Sequence, residues 1–272
     1  MLYSTILHFI EEKLANGNIE NNNQEARWLL EYAKKQNPGY PPENLMIFLI
    51  PLLKRRISGE PLQYILGSVM FYELELEIGP GVLIPRPETE LLIDLALKKY
   101  PGNGNILDLC TGSGAILLNL ARLLPKANHV GIDISPHALH WAEINQKKHN
   151  LDNVYLFCGD LFNPLENTPY KFSVVTANPP YISSEDYYNL PHTIKDFEPK
   201  SALLAMNKGL AITERIIEGA QNYLETKGWL ILEIGNLQGA QTQEKMKENN
   251  YQNISCIKDY THQDRFVLGQ KI

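Results

Sequence analysis

The sequence is poor in the features that mark secreted, metal-binding and membrane proteins. It has only three cysteines among 272 residues, and no two of them are spaced as C-x-x-C. That count argues against a disulfide framework or a structural zinc site, so we expect reduced thiols, no bound metal and a cytoplasmic location. No apolar run approaches the roughly 20 residues that a membrane span needs, and we recognise no signal peptide at the N-terminus. We therefore expect no membrane segment.

An excess of positive charge is also absent. Lys and Arg total 25 against 31 Asp and Glu, which gives a net charge of −6. Proteins that wrap DNA or RNA neutralise phosphates with a basic face, so this balance argues against a general nucleic-acid binder. The length suits two domains, and hydrophobic residues at 44% are enough for a buried core. We expect the protein to be a monomer.

The pattern of apolar residues changes twice along the chain. Residues 1–62 repeat apolar side chains at helical spacing, which predicts a small all-α domain for partner recognition. Residues 63–86 contain the alternating stretch Phe71–Ile78, a Gly-Pro-Gly turn and the apolar stretch Val82–Ile84, which together predict a β-hairpin linker. Residues 87–272 alternate strands and helices, which predicts an α/β domain with a mostly parallel sheet.

The α/β domain is predicted to contain seven strands. They are Asn105–Leu109, Val130–Asp133, Val154–Cys158, Phe172–Thr176, Trp229–Ile234, Ile254–Lys258 and Phe266–Gly269. No clear helix separates the last two, so we expect one of them to run antiparallel and the sheet to be mixed. Because ligands of open parallel sheets bind at the carboxyl ends of the strands, the residues after each strand are the candidates for a site.

A glycine-rich turn follows the first of these strands. Gly112 and Gly114 carry no Cβ, so the backbone can approach a ligand closely there. The dinucleotide fingerprint G-x-G-x-x-G would need glycine or alanine at the position of Leu117. The turn therefore predicts a binding loop without a pyrophosphate cradle. Taken alone, a plain strand-to-helix connection explains it equally well.

Carboxylates end the next two strands. Asp133 can accept hydrogen bonds from the two hydroxyls of a ribose; the alternative is a helix cap, a role that Ser135 already fills. Asp160 can accept from the exocyclic amine of adenine, with Leu161 and Phe162 beside the ring; the alternative is a simple turn. With the glycine turn, these residues predict a site for a ribose and an adenine.

The fourth strand ends in Asn178-Pro179-Pro180-Tyr181, the strongest signal in the chain. A residue before proline is held extended, and proline has a fixed φ and no N–H. The bend therefore offers acceptors, namely the Asn178 side-chain oxygen and a backbone carbonyl, while Tyr181 supplies a flat ring. These groups suit a planar NH2 group. An edge turn built from proline is the alternative.

Together these motifs resemble class I S-adenosylmethionine methyltransferases that act on an amino nitrogen. Five flanking segments narrow the resemblance to the PrmC/HemK family over nearly the whole chain: R-I-S-G-E-P-L-Q-Y (56–64), P-R-P-E-T-E (85–90), F-E-P (197–199), E-I-G (233–235) and D-R (264–265). N-P-P-Y alone is shared with DNA adenine and RNA guanine methyltransferases. Methylation of adenine N6 or guanine N2 in a nucleic acid is therefore the alternative function.

The resemblance implies a fold, a reaction and a partner. The fold is α/β: a Rossmann-like class I methyltransferase domain with a mixed seven-stranded sheet, preceded by a small all-α domain and a β-hairpin linker. The reaction is methylation of the side-chain amide nitrogen of the glutamine in the Gly-Gly-Gln loop of class 1 peptide chain release factors. The cofactor is S-adenosyl-L-methionine and the product S-adenosyl-L-homocysteine.

By position, the resemblance also implies roles for particular residues. The methionine portion of the cofactor is assigned to Cys110, Thr111, Gly112, Ser113 and Gly114. The ribose is assigned to Asp133, and the adenine to Asp160 and Leu161. Asn178 is expected to touch both cofactor and substrate, Pro179, Pro180 and Tyr181 to line the glutamine site, and catalysis to rest on Asn178, Pro179 and Tyr181. Many relatives have glycine in place of Cys110, and we expect its small side chain to fit.

Overall fold

The computed structural model describes residues 2–272, which divide into two compact units. One unit runs up to Ser68 and includes Pro191–Phe197; the other comprises Val69–Leu190 and Glu198–Ile272. The α-helices of the described residues are α1 (Leu2–Asn16), α2 (Asn22–Gln36), α3 (Leu45–Ile57), α4 (Leu62–Leu66), α5 (Glu90–Lys99), α6 (Ala115–Leu123), α7 (Pro136–Lys148), α8 (Ser184–Tyr188), α9 (His192–Lys195), α10 (Ala211–Tyr223) and α11 (Gly239–Glu248). The β-strands are β1 (Ser68–Phe71), β2 (Leu74–Glu77), β3 (Asn105–Leu109), β4 (His129–Asp133), β5 (Val154–Cys158), β6 (Phe172–Ala177), β7 (Leu224–Glu233), β8 (Tyr251–Lys258) and β9 (Asp264–Lys271).

The helical unit has a core of its own. Apolar residues at helical spacing bury one face of each long helix, and Leu14, Leu29 and Leu49 are fully buried there. Arg56 at the end of α3 donates two hydrogen bonds to the carboxylate of Glu25 in α2, from Nε at 2.6 Å and from Nη2 at 3.0 Å. The predicted all-α region is confirmed. The functional division at residues 62 and 86 stays a prediction.

The larger unit is built on one seven-stranded sheet in the order β5-β4-β3-β6-β7-β9-β8. Strands β5, β4, β3, β6 and β7 pair in parallel, and β9 runs antiparallel to both β7 and β8. The mixed sheet with one reversed strand near its end is therefore confirmed. The chain runs from β3 outward through β4 to β5 and then returns to place β6 on the other side of β3. That reversal is a topological switch point, where the loops after β3 and β6 part and leave a crevice.

The hairpin differs from the prediction. Its strands are β1 and β2, with the turn at Tyr72 and Glu73, whereas the sequence pattern predicted one strand over 71–78 and a second over 82–84. Tertiary contacts explain the difference: the Tyr72 N–H donates to Glu90 Oε1 at 2.8 Å, and the Glu73 N–H donates to Asn119 Oδ1 at 3.1 Å. Both acceptors lie far along the chain, so alternation alone does not reveal the turn.

Candidate active site

A cavity of about 410 Å³ opens at the carboxyl ends of β3, β4, β5 and β6. Volumes of 300–1,000 Å³ are typical of small-molecule sites. Nine of the residues predicted from the sequence line it: Cys110, Thr111, Gly112, Ser113, Asp133, Asp160, Leu161, Asn178 and Pro180. Three predicted residues, Gly114, Pro179 and Tyr181, are not among the lining residues. The fold thus brings the glycine turn, both carboxylates and the proline bend to one place.

The turn after β3 has an unusual backbone. Cys110, Gly112 and Gly114 all have positive φ, at 55°, 60° and 80°. Gly114 precedes the first residue of α6, and a Cβ built there would lie 2.8 Å from Leu118 Cδ1, which is closer than packed atoms tolerate. Its glycine therefore serves the tight junction of loop and helix. A side chain on Gly112 would meet nothing within 3.9 Å, so only the backbone conformation requires glycine there.

A buried carboxyl holds this turn from below. Asp108 of β3 accepts hydrogen bonds of 2.7 Å from the hydroxyls of Thr111 and Thr176. Burial raises the pKa of Asp108 to about 7, and these two hydroxyl bonds only partly oppose it. The carboxyl ties β3 to β6 and to the turn, and it lies beneath the cavity floor and not on its surface.

Asp133 is the second support of the turn. Its Oδ2 accepts the Gly112 N–H at 2.8 Å, and its Oδ1 accepts the Ser135 N–H at 2.9 Å. Ser135 caps α7 by accepting the Ala138 N–H at 3.2 Å, so the helix does not depend on Asp133 for its cap. Burial raises the pKa of Asp133, and backbone N–H groups oppose that rise. A carboxylate has about four acceptor positions, so Asp133 keeps capacity for hydroxyl donors in the cavity.

The end of β5 contains an ion pair that the sequence reading missed. Arg215 of α10 donates from Nη2 to Asp160 Oδ2 at 2.8 Å, and both side chains line the cavity. Leu161 is buried with a positive φ of 50° and faces the same space. Phe162, expected beside the same ligand, instead stacks on Tyr223 with ring centroids 5.0 Å apart. One oxygen of Asp160 is therefore engaged by Arg215, and the apolar contact at this end comes from Leu161.

The proline bend after β6 is fixed from several sides. Asn178 donates from Nδ2 to Thr89 Oγ1 at 3.4 Å. The Tyr181 carbonyl accepts from Gln238 Nε2 at 2.9 Å, and Gln238 Oε1 in turn accepts the Gly235 N–H at 2.9 Å. Burial raises the pKa of Tyr181 to about 12. The bend therefore presents Asn178 and Pro180 to the cavity. The roles predicted for Pro179 and Tyr181 in substrate binding stay predictions.

An ion pair with a buried carboxylate and a partly exposed guanidinium links two of the motifs that carried the family resemblance. Arg86 donates from Nη2 to Glu198 Oε1 at 2.5 Å, and the Ile84 N–H donates to Glu198 Oε2 at 3.2 Å. At Ile84, where the sequence predicted a strand, a side chain and not a neighbouring strand therefore satisfies the backbone N–H. The pair brings the P-R-P-E-T-E segment against the F-E-P segment beside the cavity.

The motifs that carry the family resemblance also contain Thr89, Glu198, Glu233 and Arg265, for which the sequence alone predicts no roles. Each lies in a short motif distant from the proline bend, and the motifs meet only in the folded chain. Glu233 closes β7, which is the strand beside β6, so its place at the end of a parallel strand was the available signal.

Comparison with known proteins agrees with this geometry. A family model described as a methyltransferase domain matches residues 102–268, and one described as the PrmC N-terminal domain matches residues 5–67. The release factor glutamine methyltransferase of Vibrio cholerae is 44% identical over 223 residues, or 80% of this chain and 76% of that protein. That of Thermodesulfovibrio yellowstonii is 40% identical over 224 residues, or 81% of this chain and 80% of that protein. The chain belongs to the release factor glutamine methyltransferase family.

Solved structures support the fold of this family member. The crystal structure of a methyltransferase from Pyrococcus furiosus matches with a TM-score of 0.55 at 17% identity, covering 74% of this chain and 90% of that one. The predicted class I methyltransferase fold is therefore confirmed. Among residues 2–272, no helix is both long and apolar enough to cross a membrane. Nor does any group of three or more His, Cys, Asp or Glu in the described chain form a candidate metal site.

Proposed function

We propose that this chain uses S-adenosylmethionine to methylate the side-chain amide nitrogen of the glutamine in the Gly-Gly-Gln motif of class 1 peptide chain release factors. One observation carries the proposal: Asn178 and the glycine turn line the same cavity. Membership of the family supports the reaction and the substrate. A cytoplasmic location follows from the proposed substrate, because release factors act on ribosomes.

The donor set of the cavity fits the proposed cofactor. Asp133 is a half-buried acceptor with spare capacity at the end of β4, the position suited to ribose hydroxyls. Leu161 provides an apolar surface at the end of β5, where an aromatic base would pack. The loop Cys110–Ser113 follows β3 and keeps its backbone against the cavity, where the amino acid portion would lie. When bound, the cofactor supplies an electrophilic methyl group on a sulfonium centre.

The protein's contribution is to orient a poor nucleophile. The lone pair of an amide nitrogen is delocalised into its carbonyl, so the NH2 group has to be held and polarised. In the proposed complex, Asn178 Oδ1 and the Pro179 carbonyl accept its two N–H bonds. These fixed dipoles would stabilise the positive charge that develops on the nitrogen, which becomes neutral again when it releases one of its two protons after methylation. Correct placement of two reactants can supply on the order of 7–11 kcal/mol of a barrier, so positioning is the main catalytic factor.

The proposal is tested by methyl transfer to a purified class 1 release factor with labelled cofactor, followed by peptide mapping of the methylated residue. We expect Asn178→Ala to lower kcat by roughly 10²–10³-fold, by analogy with removal of one oxyanion-hole donor. The matched control is Asn128→Ala, which changes an exposed asparagine just before β4, at the amino ends of the strands and away from the cavity. Label in another residue type, or near-normal turnover in Asn178→Ala, would contradict the proposed reaction or the role of Asn178 respectively.

The nucleic-acid alternative makes a different prediction. A DNA or RNA methyltransferase with the same bend would bind its substrate with an affinity that falls steeply with salt, because phosphate contacts release counterions. The net charge of −6 disfavours such contacts. Methylation of an adenine or guanine amine in oligonucleotides, with none of the release factor, would favour the alternative.

A further inference from the structure

Three polar side chains, Asn178, Thr89 and Glu233, interact at the proline bend, and the first two line the cavity. Asn178 lines the cavity and donates from Nδ2 to Thr89 Oγ1 at 3.4 Å. Thr89 is only 3% exposed, and its hydroxyl is the group that most lowers the pKa of the Glu233 carboxyl. Glu233 is 1% exposed at the end of β7. The three residues come from three separate motifs, so only the fold aligns them.

Glu233 is an unusual group to bury at this place. Its Oε2 atom accepts no hydrogen bond from the described residues. Arg265 and Tyr181 stabilise its charge, while the neighbouring charge of Glu88 opposes it. An incompletely satisfied buried carboxyl costs stability, so its presence calls for an explanation other than packing.

The direction of the hydrogen bonds supplies that explanation. An ionised carboxylate only accepts, so a Thr89 hydroxyl that donates to Glu233 leaves its oxygen to accept from Asn178. The Asn178 amide must then turn its NH2 group toward Thr89. Its oxygen is left facing the cavity, where an acceptor is needed for the substrate NH2. In the opposite orientation the NH2 group of Asn178 would face the NH2 group of the substrate, and two donors in contact repel each other.

We propose that Thr89 and Glu233 are positioning residues that fix the side-chain amide of Asn178 with its oxygen toward the cavity. The inference rests on the proposed function, since it concerns the acceptor that holds the substrate amide. It predicts that a change at Thr89 lowers kcat with little effect on the affinity for the cofactor, because the residues assigned to its ribose, its adenine and its methionine portion are unchanged.

The charge of Glu233 sets the direction of the hydrogen bonds from Glu233 through Thr89 to Asn178, which we call the relay. A protonated Glu233 can donate to Thr89, which can then donate to Asn178 and favour the opposite amide orientation. Burial, opposed by Thr89, Arg265 and Tyr181, raises the pKa of Glu233 to about 7. The carboxyl is therefore ionised above pH 7 and protonated below it. We expect kcat to fall as the pH decreases through about 7.

Two variants at Thr89 distinguish the effect of its hydroxyl group from the effect of its side-chain shape. In the release factor assay, Thr89→Val should lower kcat about tenfold, the loss expected from one well-placed hydrogen bond, and Thr89→Ser should restore most of it. The dissociation constant for S-adenosylmethionine should stay within twofold of wild type in both. Thr213→Val is the matched control, because Thr213 is equally buried and its hydroxyl has no hydrogen-bond partner among the described residues. Wild-type kcat in Thr89→Val, or a Thr89→Ser variant as slow as Thr89→Val, would overturn the proposal.

Glu233→Gln tests the relay from its other end. A glutamine stays neutral at every pH, so the inflection of kcat near pH 7 should disappear. NMR of the Asn178 side-chain amide, in protein with bound cofactor and no substrate, should show the same inflection in wild type and none in Glu233→Gln. This measurement needs no turnover, so it decides the relay even if the release factor is not methylated, which would refute the proposed function alone. Identical pH titrations of the amide in both proteins would refute the relay.

Discussion

Replacing Asp133 by asparagine tests how the carboxylate at the end of β4 serves both the loop and the ligand. Asp133 accepts N–H bonds from Gly112 and Ser135 on its two oxygens. An asparagine has one oxygen and one NH2 group, so one of these two backbone donors must face another donor whichever way the amide turns. The change therefore loosens the glycine loop as well as removing the charge.

The size of the effect follows from the loss of a hydrogen bond to a charged group. Such bonds contribute about 1.5–3 kcal/mol. Since each 1.4 kcal/mol is tenfold, the dissociation constant of S-adenosylmethionine should rise roughly 10- to 150-fold in Asp133→Asn. The unpaired backbone donor should also lower the free energy of unfolding by about 1–3 kcal/mol.

Isothermal titration calorimetry measures the affinity. Urea denaturation of the same samples measures the stability. Asp152→Asn is the matched control, since Asp152 is exposed in the loop before β5, and both quantities should be unchanged there. A folded Asp133→Asn protein with wild-type cofactor affinity would refute the assignment of this carboxylate to the ribose.

Two further changes test the supports of the site. Burial raises the pKa of Asp108 from 3.8 to about 7. The contribution of this group to stability is therefore fully present below pH 4 and is lost as the pH rises through 7. The free energy of unfolding, measured by urea titration, should fall between pH 5 and 8 by about 2–3 kcal/mol less in Asp108→Asn than in wild type. An unaltered pH dependence in this variant would contradict the raised pKa. Gly209 has a φ of +86°, and a Cβ there would lie 2.0 Å from the Tyr181 carbonyl, so Gly209→Ala should displace the proline bend and lower kcat about tenfold or more, with a lower melting temperature. Gly102→Ala, at a similar φ of +90° with nothing within 4 Å of the new Cβ, isolates the cost of the backbone conformation, and equal kcat losses in the two variants would show that displacement of the bend is not the cause.

Much of the larger unit was predictable because its signals are local. Strand β3 and strand β5 begin and end where the apolar runs do, and the glycines after β3 mark the turn without help from the rest of the chain. The carboxyl ends of parallel strands share one edge, so Asp133 and Asn178 could be placed together before any coordinates were available. Local chemistry and a simple topological rule were sufficient for these positions.

The remaining features depend on contacts between distant segments. The turn at Tyr72 is set by Glu90 and Asn119, which alternation of apolar residues cannot report. The roles of Thr89 and Glu233 likewise require knowing that the P-R-P-E-T-E segment reaches the end of β7. A short motif shows that such residues are present, but only the folded structure shows which of their side chains interact.

The antiparallel direction of β9 affects which residues lie at the end of the sheet where the cavity opens. The parallel strands place only their C-terminal residues beside the cavity, whereas the antiparallel strand β9 places its N-terminal residues there. Arg265, the second residue of β9, thereby lies next to the rung on which Glu233 faces Phe266, and its guanidinium, paired with Asp259 at 3.0 Å, lowers the pKa of Glu233. In an all-parallel arrangement the same guanidinium would have to come from a loop, and ordering that loop costs about 1–2 kcal/mol for each residue fixed. The pairing of β7 with β9 thus holds Arg265 in place without that entropy loss.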